Sequence, residues 1–123
     1  MTDSLPAGRQ IIEAYGNGGF TIAGVKSLGS ILVFVDRVVP WAVARFEDIT
    51  MEALCEAFKE EPAVELLLVG CGVSQARPSA GLLQGLSEAG VIADFMNTGA
   101  ACRTFNVLLA EDRRVAAALI AVD

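Results

Sequence analysis

The residues of this 123-residue chain that could carry chemistry are few: the thiols of Cys55, Cys71 and Cys102, the guanidinium of Arg103, and the glycine turn Gly70-Cys71-Gly72. A thiol offers nucleophilic or redox chemistry where its thiolate is accessible. A glycine turn at the end of a strand, set beside the capped start of a helix at Asn97-Thr98-Gly99, exposes main-chain amides that can hold an anion. Arg103 would add the countercharge one turn along that helix, and Asn106 stands with Arg103 on the surface that a partner protein would contact. The candidate ligand- or partner-binding set is therefore Gly70, Cys71, Gly72, Thr98, Arg103 and Asn106.

What is missing weighs against catalysis. The chain has no histidine and no Cys-x-x-Cys spacing, so no metal and no cofactor are expected. A dinucleotide fingerprint would need glycine where Gln75 stands and a helix opening at once, whereas the next helix waits until about Pro78. No nucleophile lies at a fixed spacing from a base. Each residue also has an ordinary role: Gly70 and Gly72 as a tight turn beneath a neighbouring element, Cys55 as a small buried hydrophobe, Thr98 as a helix cap, and Arg103 paired with Glu111 or Asp94. Cys71 and Cys102 can approach each other if their elements are neighbours, but two reduced thiols are the expected state.

The elements that must position these residues read as strands alternating with helices, the pattern of an α/β fold. Residues 10–15 and 19–23 form a hairpin about Gly16-Asn17-Gly18-Gly19. Residues 30–35 form a strand, and residues 38–44 a weaker one that Pro40 confines to an edge or a bulge, with Trp41 packed on the core. A helix capped within Asp48-Ile49-Thr50 carries Met51, Leu54, Cys55 and Phe58 on one face and closes at Pro62. Residues 64–69 form a strand covered on both faces. A helix over 78–88 sets Leu82, Leu83 and Leu86 inward and stops at Gly90; residues 91–95 return as a strand. The helix from Gly99 to Ala110 turns Ala101, Phe105, Leu108 and Leu109 to the sheet and leaves Cys102, Arg103 and Asn106 toward its flank or the solvent. After it, Arg113 or Arg114 should compensate Glu111 and Asp112 at the helix end. The alanine-rich run 115–122 reads as an interior strand.

Composition bounds the rest. At 54% hydrophobic and 20% charged, residues 10–123 read as one α/β domain behind a polar tail over residues 1–9. A net charge of -6 excludes a phosphate-backbone partner, so no nucleic acid is expected. The N-terminus has neither an apolar signal core nor an Arg-rich presequence, and no apolar run reaches the ~20 residues that span a bilayer. A cytoplasmic protein with at most peripheral membrane association follows.

With these segments in place, the chain resembles a known family. The resemblance is carried by Tyr-Gly-x-Gly-Gly-Phe at Tyr15 to Phe20, Gly-Ser-Ile-Leu-Val at Gly29 to Val33, Trp41, and Glu-Leu-Leu-Leu-Val-Gly-Cys-Gly at Glu65 to Gly72. A longer motif, Met96-x-Thr98-x-Ala-Ala-Cys-Arg-Thr-Phe-Asn-Val-Leu-x-x-Glu111, ends in Arg114-Val-Ala-Ala-Ala-Leu. The chain is similar to a family of small α/β proteins of unknown activity that includes the mitochondrial respiratory complex I assembly factor 3 and an adipogenesis-associated relative. The resemblance implies a three-layer α/β fold, with a central mixed sheet, flanking helices and an N-terminal β-hairpin. It implies protein partners and no particular reaction.

The expected function is thus a non-enzymatic, protein-binding accessory factor in respiratory-complex or membrane-protein biogenesis, with a homo-oligomer left open. The alternative is a small-molecule, anion-binding or thiol-redox protein using the crevice of Gly70–Gly72 and Thr98–Arg103.

Overall fold

The computed structural model describes residues 9–59, 63–74 and 76–123, without the Phe58 side chain. The tail over residues 1–8, the helix stop at Pro62, Gln75 and the inward place of Phe58 lie outside the described residues.

Alanine favours helices, yet the alanine-rich segment Val115–Leu119 (β8) is the middle strand of a five-stranded mixed sheet. It pairs antiparallel with Ile31–Val33 (β4) and parallel with Leu66–Gly70 (β6). Beyond them Val38–Pro40 (β5) and Ala93–Met96 (β7) form the two edges. All five β8 residues are buried, as an interior strand requires. Small side chains let the layers on both faces come close. Ala116 and Ala118 face one core, whereas Val115, Ala117 and Leu119 face the other. The strand stops at Leu119 rather than running to Val122, and β5 stops at Pro40, whose missing N–H is tolerated at an edge.

The two cores define three layers. On one face Met51–Phe58 (α1) and Ala80–Glu88 (α2) bury Leu54, Ala57, Leu82 and Leu86 with Trp41 against the sheet. Thr50 caps α1, accepting the Ala53 amide at 3.1 Å, and the Trp41 indole N–H donates to the Ala53 carbonyl at 2.7 Å. Cys55 is half-buried beside this core rather than in it, because the inward stripe runs through Leu54 and Ala57. Leu83 likewise faces out, 46% exposed; α2 starts at Ala80 with Ser79 as its cap, and a helix of that phase turns only Leu82 and Leu86 inward. Gly90 follows it in the left-handed region (φ +72°) as expected.

The other face carries Thr98–Ala110 (α3) and, against it, an antiparallel meander of Ile12–Gly16 (β1), Gly19–Ile22 (β2) and Val25–Leu28 (β3). The hairpin expected from the glycine turn is β1–β2; β3 extends it. Val25, Lys26 and Leu28 are exposed, so β3 shows no buried face by which its sequence would read as a strand. Ile12, Phe20 and Ile22 join Ala101, Phe105 and Leu109 in the second core.

Candidate functional site

In open α/β sheets, ligands bind outside the carboxyl ends of the strands where the crossovers diverge. Here that place lies at the ends of β6 and β8, because α2 leaves β6 on one face and α3 reaches β8 on the other. It is closed by a seam of hydrogen bonds. Cys71 N–H donates to the Met96 carbonyl at 2.7 Å, Ile120 N–H to the Gly70 carbonyl at 3.0 Å, and Thr98 N–H to the Gly72 carbonyl at 2.8 Å. The Thr98 hydroxyl completes the seam: it accepts the Gly72 amide at 3.0 Å and donates to the Ile120 carbonyl at 2.7 Å.

The glycines serve this closure. A Cβ on Gly70 would sit 3.0 Å from the Thr98 Cα, and Gly72 holds φ at +106°, which an L side chain rarely adopts. Thr98 is therefore no helix cap, contrary to expectation. Asn97 caps α3, its Oδ1 accepting the Ala100 amide at 2.8 Å, while Thr98 is the first helical residue and is fully buried. The amides of Cys71, Gly72, Thr98 and Ala100, which an anion would have used, are spent within the chain. Outside the seam lies a shallow groove of about 370 Å³, walled by Cys71 and Gly72 together with Arg45, Phe46, Glu47, Val73 and the last residues of the chain, with Thr98 absent from its wall.

Arg103 and Asn106 belong to a different place. Both sit where α3 crosses β1, in a groove of about 270 Å³ lined with Ile12, Glu13, Ala14, Tyr15 and Cys102. Asn106 is a clamp: its Oδ1 accepts the Ile12 amide at 2.9 Å and its Nδ2 donates to the Ile12 carbonyl at 2.8 Å. It closes the outer edge of β1 as a neighbouring strand would. Arg103 is exposed, and among the described residues it pairs with neither Glu111 nor Asp94; its guanidinium donates to the Tyr15 hydroxyl at 3.4 Å. The crevice read from the sequence thus divides into a hydrogen-bonded seam, Gly70, Cys71, Gly72 and Thr98, with Cys71 and Gly72 also lining the groove beside it, and a separate surface groove, Arg103 and Asn106.

The charges after α3 meet expectation only in part: the Glu111 charge acts on Arg113, but the ion pairs run elsewhere. Arg113 and Arg114 turn to Glu65, at 2.6 and 3.6 Å, and Asp112 pairs with Arg9. The Arg113 hydrogen bond holds the Glu65 carboxyl below the usual carboxylate range.

The thiols are separated. Cys71 packs in the core under α1 and α2, Cys102 in the core under α3, on opposite faces of the sheet. Cys102 is buried, not on the flank, because its position on α3 faces the meander. Burial raises the Cys71 pKa against main-chain hydrogen bonds from Ala76 and Met96, and pushes Cys102 up to about 12 against the charge of Arg103. Since the thiolate is the reactive form, a maleimide at pH 8 should modify Cys55 in the native protein, with Cys71 and Cys102 reacting only as the chain unfolds. Mass spectrometry of the labelled peptides before and after urea addition checks this; native labelling of Cys71 would reopen a thiol role.

Tyr15 is the site residue that the sequence reading passed over. Its signal lay in the Tyr-Gly run ahead of the hairpin turn, but only the fold brings it to Arg103.

Residues 12–120 match the family described as protein of unknown function DUF498/DUF598. An assembly factor 3 of the NADH dehydrogenase 1 alpha subcomplex from Xenopus tropicalis is 37% identical over 89% of the chain; the chain spans 60% of that relative's length. An uncharacterised protein of Rhodobacter capsulatus is 40% identical, covering 93% of this chain and 86% of its own. The crystal structure of a Bartonella henselae protein described as an outer membrane protein superposes with a TM-score of 0.86 at 43% identity, over 94% of this chain and 98% of that one.

Proposed function

The chain belongs to the DUF498/DUF598 family of proteins of unknown function, and on that premise we propose that it is a non-enzymatic, protein-binding assembly factor for a respiratory NADH dehydrogenase. The observation that carries this reading is the seam: where an α/β fold would hold a substrate, the Thr98 hydroxyl and main-chain bonds tie the strand ends together and leave a shallow groove beside Cys71 and Gly72. What the chain offers outward instead is side-chain surface. Tyr15 is 43% and Val107 56% exposed, with Arg103 between them on α3, and tyrosine and arginine are residue types that dominate protein interfaces. The relatives named as assembly factors support the choice of complex.

The factor acts from the cytoplasm and meets the membrane through its partner; no helix among the described residues is long and apolar enough to cross a bilayer. Deleting the gene from its host tests the reading. Native electrophoresis should show NADH dehydrogenase intermediates accumulating at the expense of the complete enzyme, with rescue by the wild-type gene. An unchanged level of complete enzyme would overturn the assignment.

A further inference from the structure

The groove between β1 and α3 holds one charge that the fold does not use. The chain carries a net charge of -6, and of its arginines Arg9, Arg37, Arg45, Arg113 and Arg114 have carboxylate partners, whereas among the described residues Arg77, which lies in another groove, has none. Arg103 has none among the described residues, although Glu13 lines the same groove. The Glu13 carboxylate is exposed and accepts the Gly24 amide at 2.6 Å, a bond that turns it toward the β2–β3 turn and leaves its charge in place. The Asn106 amide is spent on Ile12, and Cys102 is a buried thiol. What faces outward is therefore a guanidinium, a phenol hydroxyl 3.4 Å from it, and the Tyr15 ring, which lies so close to α3 that a Cβ on Gly99 would overlap it. One turn along the helix Val107 adds an exposed apolar surface beside Arg103.

We propose that this groove docks a carboxylate-bearing segment of a partner protein, with Arg103 and the Tyr15 hydroxyl holding the carboxylate and the Tyr15 ring and Val107 covering an adjoining apolar side chain. The proposal deepens the assembly-factor reading and rests on it for the partner being a protein. A guanidinium fork matches a carboxylate in a bidentate geometry, and the hydroxyl supplies a further donor. Phosphate would satisfy the same donors. The acidic chain, however, repels nucleic-acid backbones and anionic bilayers as a whole, whereas a single carboxylate beside an apolar side chain meets only the local charge.

The probe is the peptide acetyl-Leu-Glu-Leu-Phe-amide, titrated into the isotope-labelled chain and followed by amide shifts. The result expected is a shift set centred on Tyr15, Arg103 and Val107 that saturates at millimolar concentration, with the control peptide acetyl-Leu-Gln-Leu-Phe-amide binding at least about tenfold more weakly. Arg103→Gln should abolish the shifts, Arg103→Lys should keep part of them, and Val107→Asp should weaken binding by like charge. Equal binding of the two peptides, no shifts at about 10 mM, or shifts from inorganic phosphate or anionic vesicles but not from the glutamate peptide would each overturn the proposal. In the deletion strain, full rescue by Arg103→Gln would remove the groove and leave the assembly role standing. A harmless deletion beside intact peptide binding would sink the assembly role and leave the groove.

Discussion

Replacing Thr98 by valine should lower the unfolding free energy by about 2–4 kcal/mol, although the two side chains have nearly the same shape. The hydroxyl is fully buried and makes two bonds at once, to the Gly72 amide and the Ile120 carbonyl. Valine leaves both main-chain groups without a partner, and a buried orphan costs more than the bond that was lost. Two companions separate the causes. Thr98→Ser keeps the hydroxyl and loses one buried methyl, about 0.8 kcal/mol. Asn97→Ala removes the true cap of α3 for about 1 kcal/mol. Urea unfolding should therefore rank the midpoints wild type, Thr98→Ser, Asn97→Ala, Thr98→Val, with a common slope. A Thr98→Val midpoint equal to that of wild type would mean that the seam does not hold the strand ends.

The same hydroxyl shows what a sequence can and cannot disclose. The strand–helix alternation, the edge position of Pro40 and the buried centre at Val115–Leu119 were legible because each rests on local periodicity or on a residue with one backbone rule. Thr98 was legible as a residue of a helix start, where Asn97 and Thr98 compete for the cap; which one wins depends on the chain that arrives from β6 and β8, far away in sequence. Cys102 read as a flank residue because helical phase alone places one apolar stripe on α3. The meander lays a second apolar surface beside the sheet and widens the buried arc. β3 was not legible at all, since Val25, Lys26 and Leu28 are exposed and leave no alternation of burial.

The groove residues were recognised by type and misplaced in space. Arg103 was read with Gly70 and Gly72 because it follows the start of α3 by about one turn and that start was set beside the glycine turn, yet its side chain points across α3 to β1. The likeness to solved structures over 94% of this chain places the fold securely, and that fold, not the motif, decides which candidate residues share a surface.

Asn106→Ala should cost about 1–3 kcal/mol and should open the meander before the sheet. Both polar atoms of its amide are committed to Ile12, whose main-chain groups face the outer edge of β1 rather than β2. Without that clamp the Ile12 amide should exchange with solvent at least about tenfold faster, since tenfold corresponds to 1.4 kcal/mol of local opening, while amides of β8 follow only the global change. Asn106→Asp adds a test by pH. A carboxylate accepts from the Ile12 amide but cannot donate to the Ile12 carbonyl, which it repels; the protonated acid can donate again. The folded state therefore favours the proton and raises this aspartate above its ordinary pKa of about 3.9. Relative to wild type, the loss of stability in Asn106→Asp should be smallest below about pH 4 and should grow as the pH rises through that raised value. A pH-independent difference, or an Ile12 amide as protected in Asn106→Ala as in wild type, would show that Asn106 does not fasten β1 to α3, and would return it to the surface available for a partner.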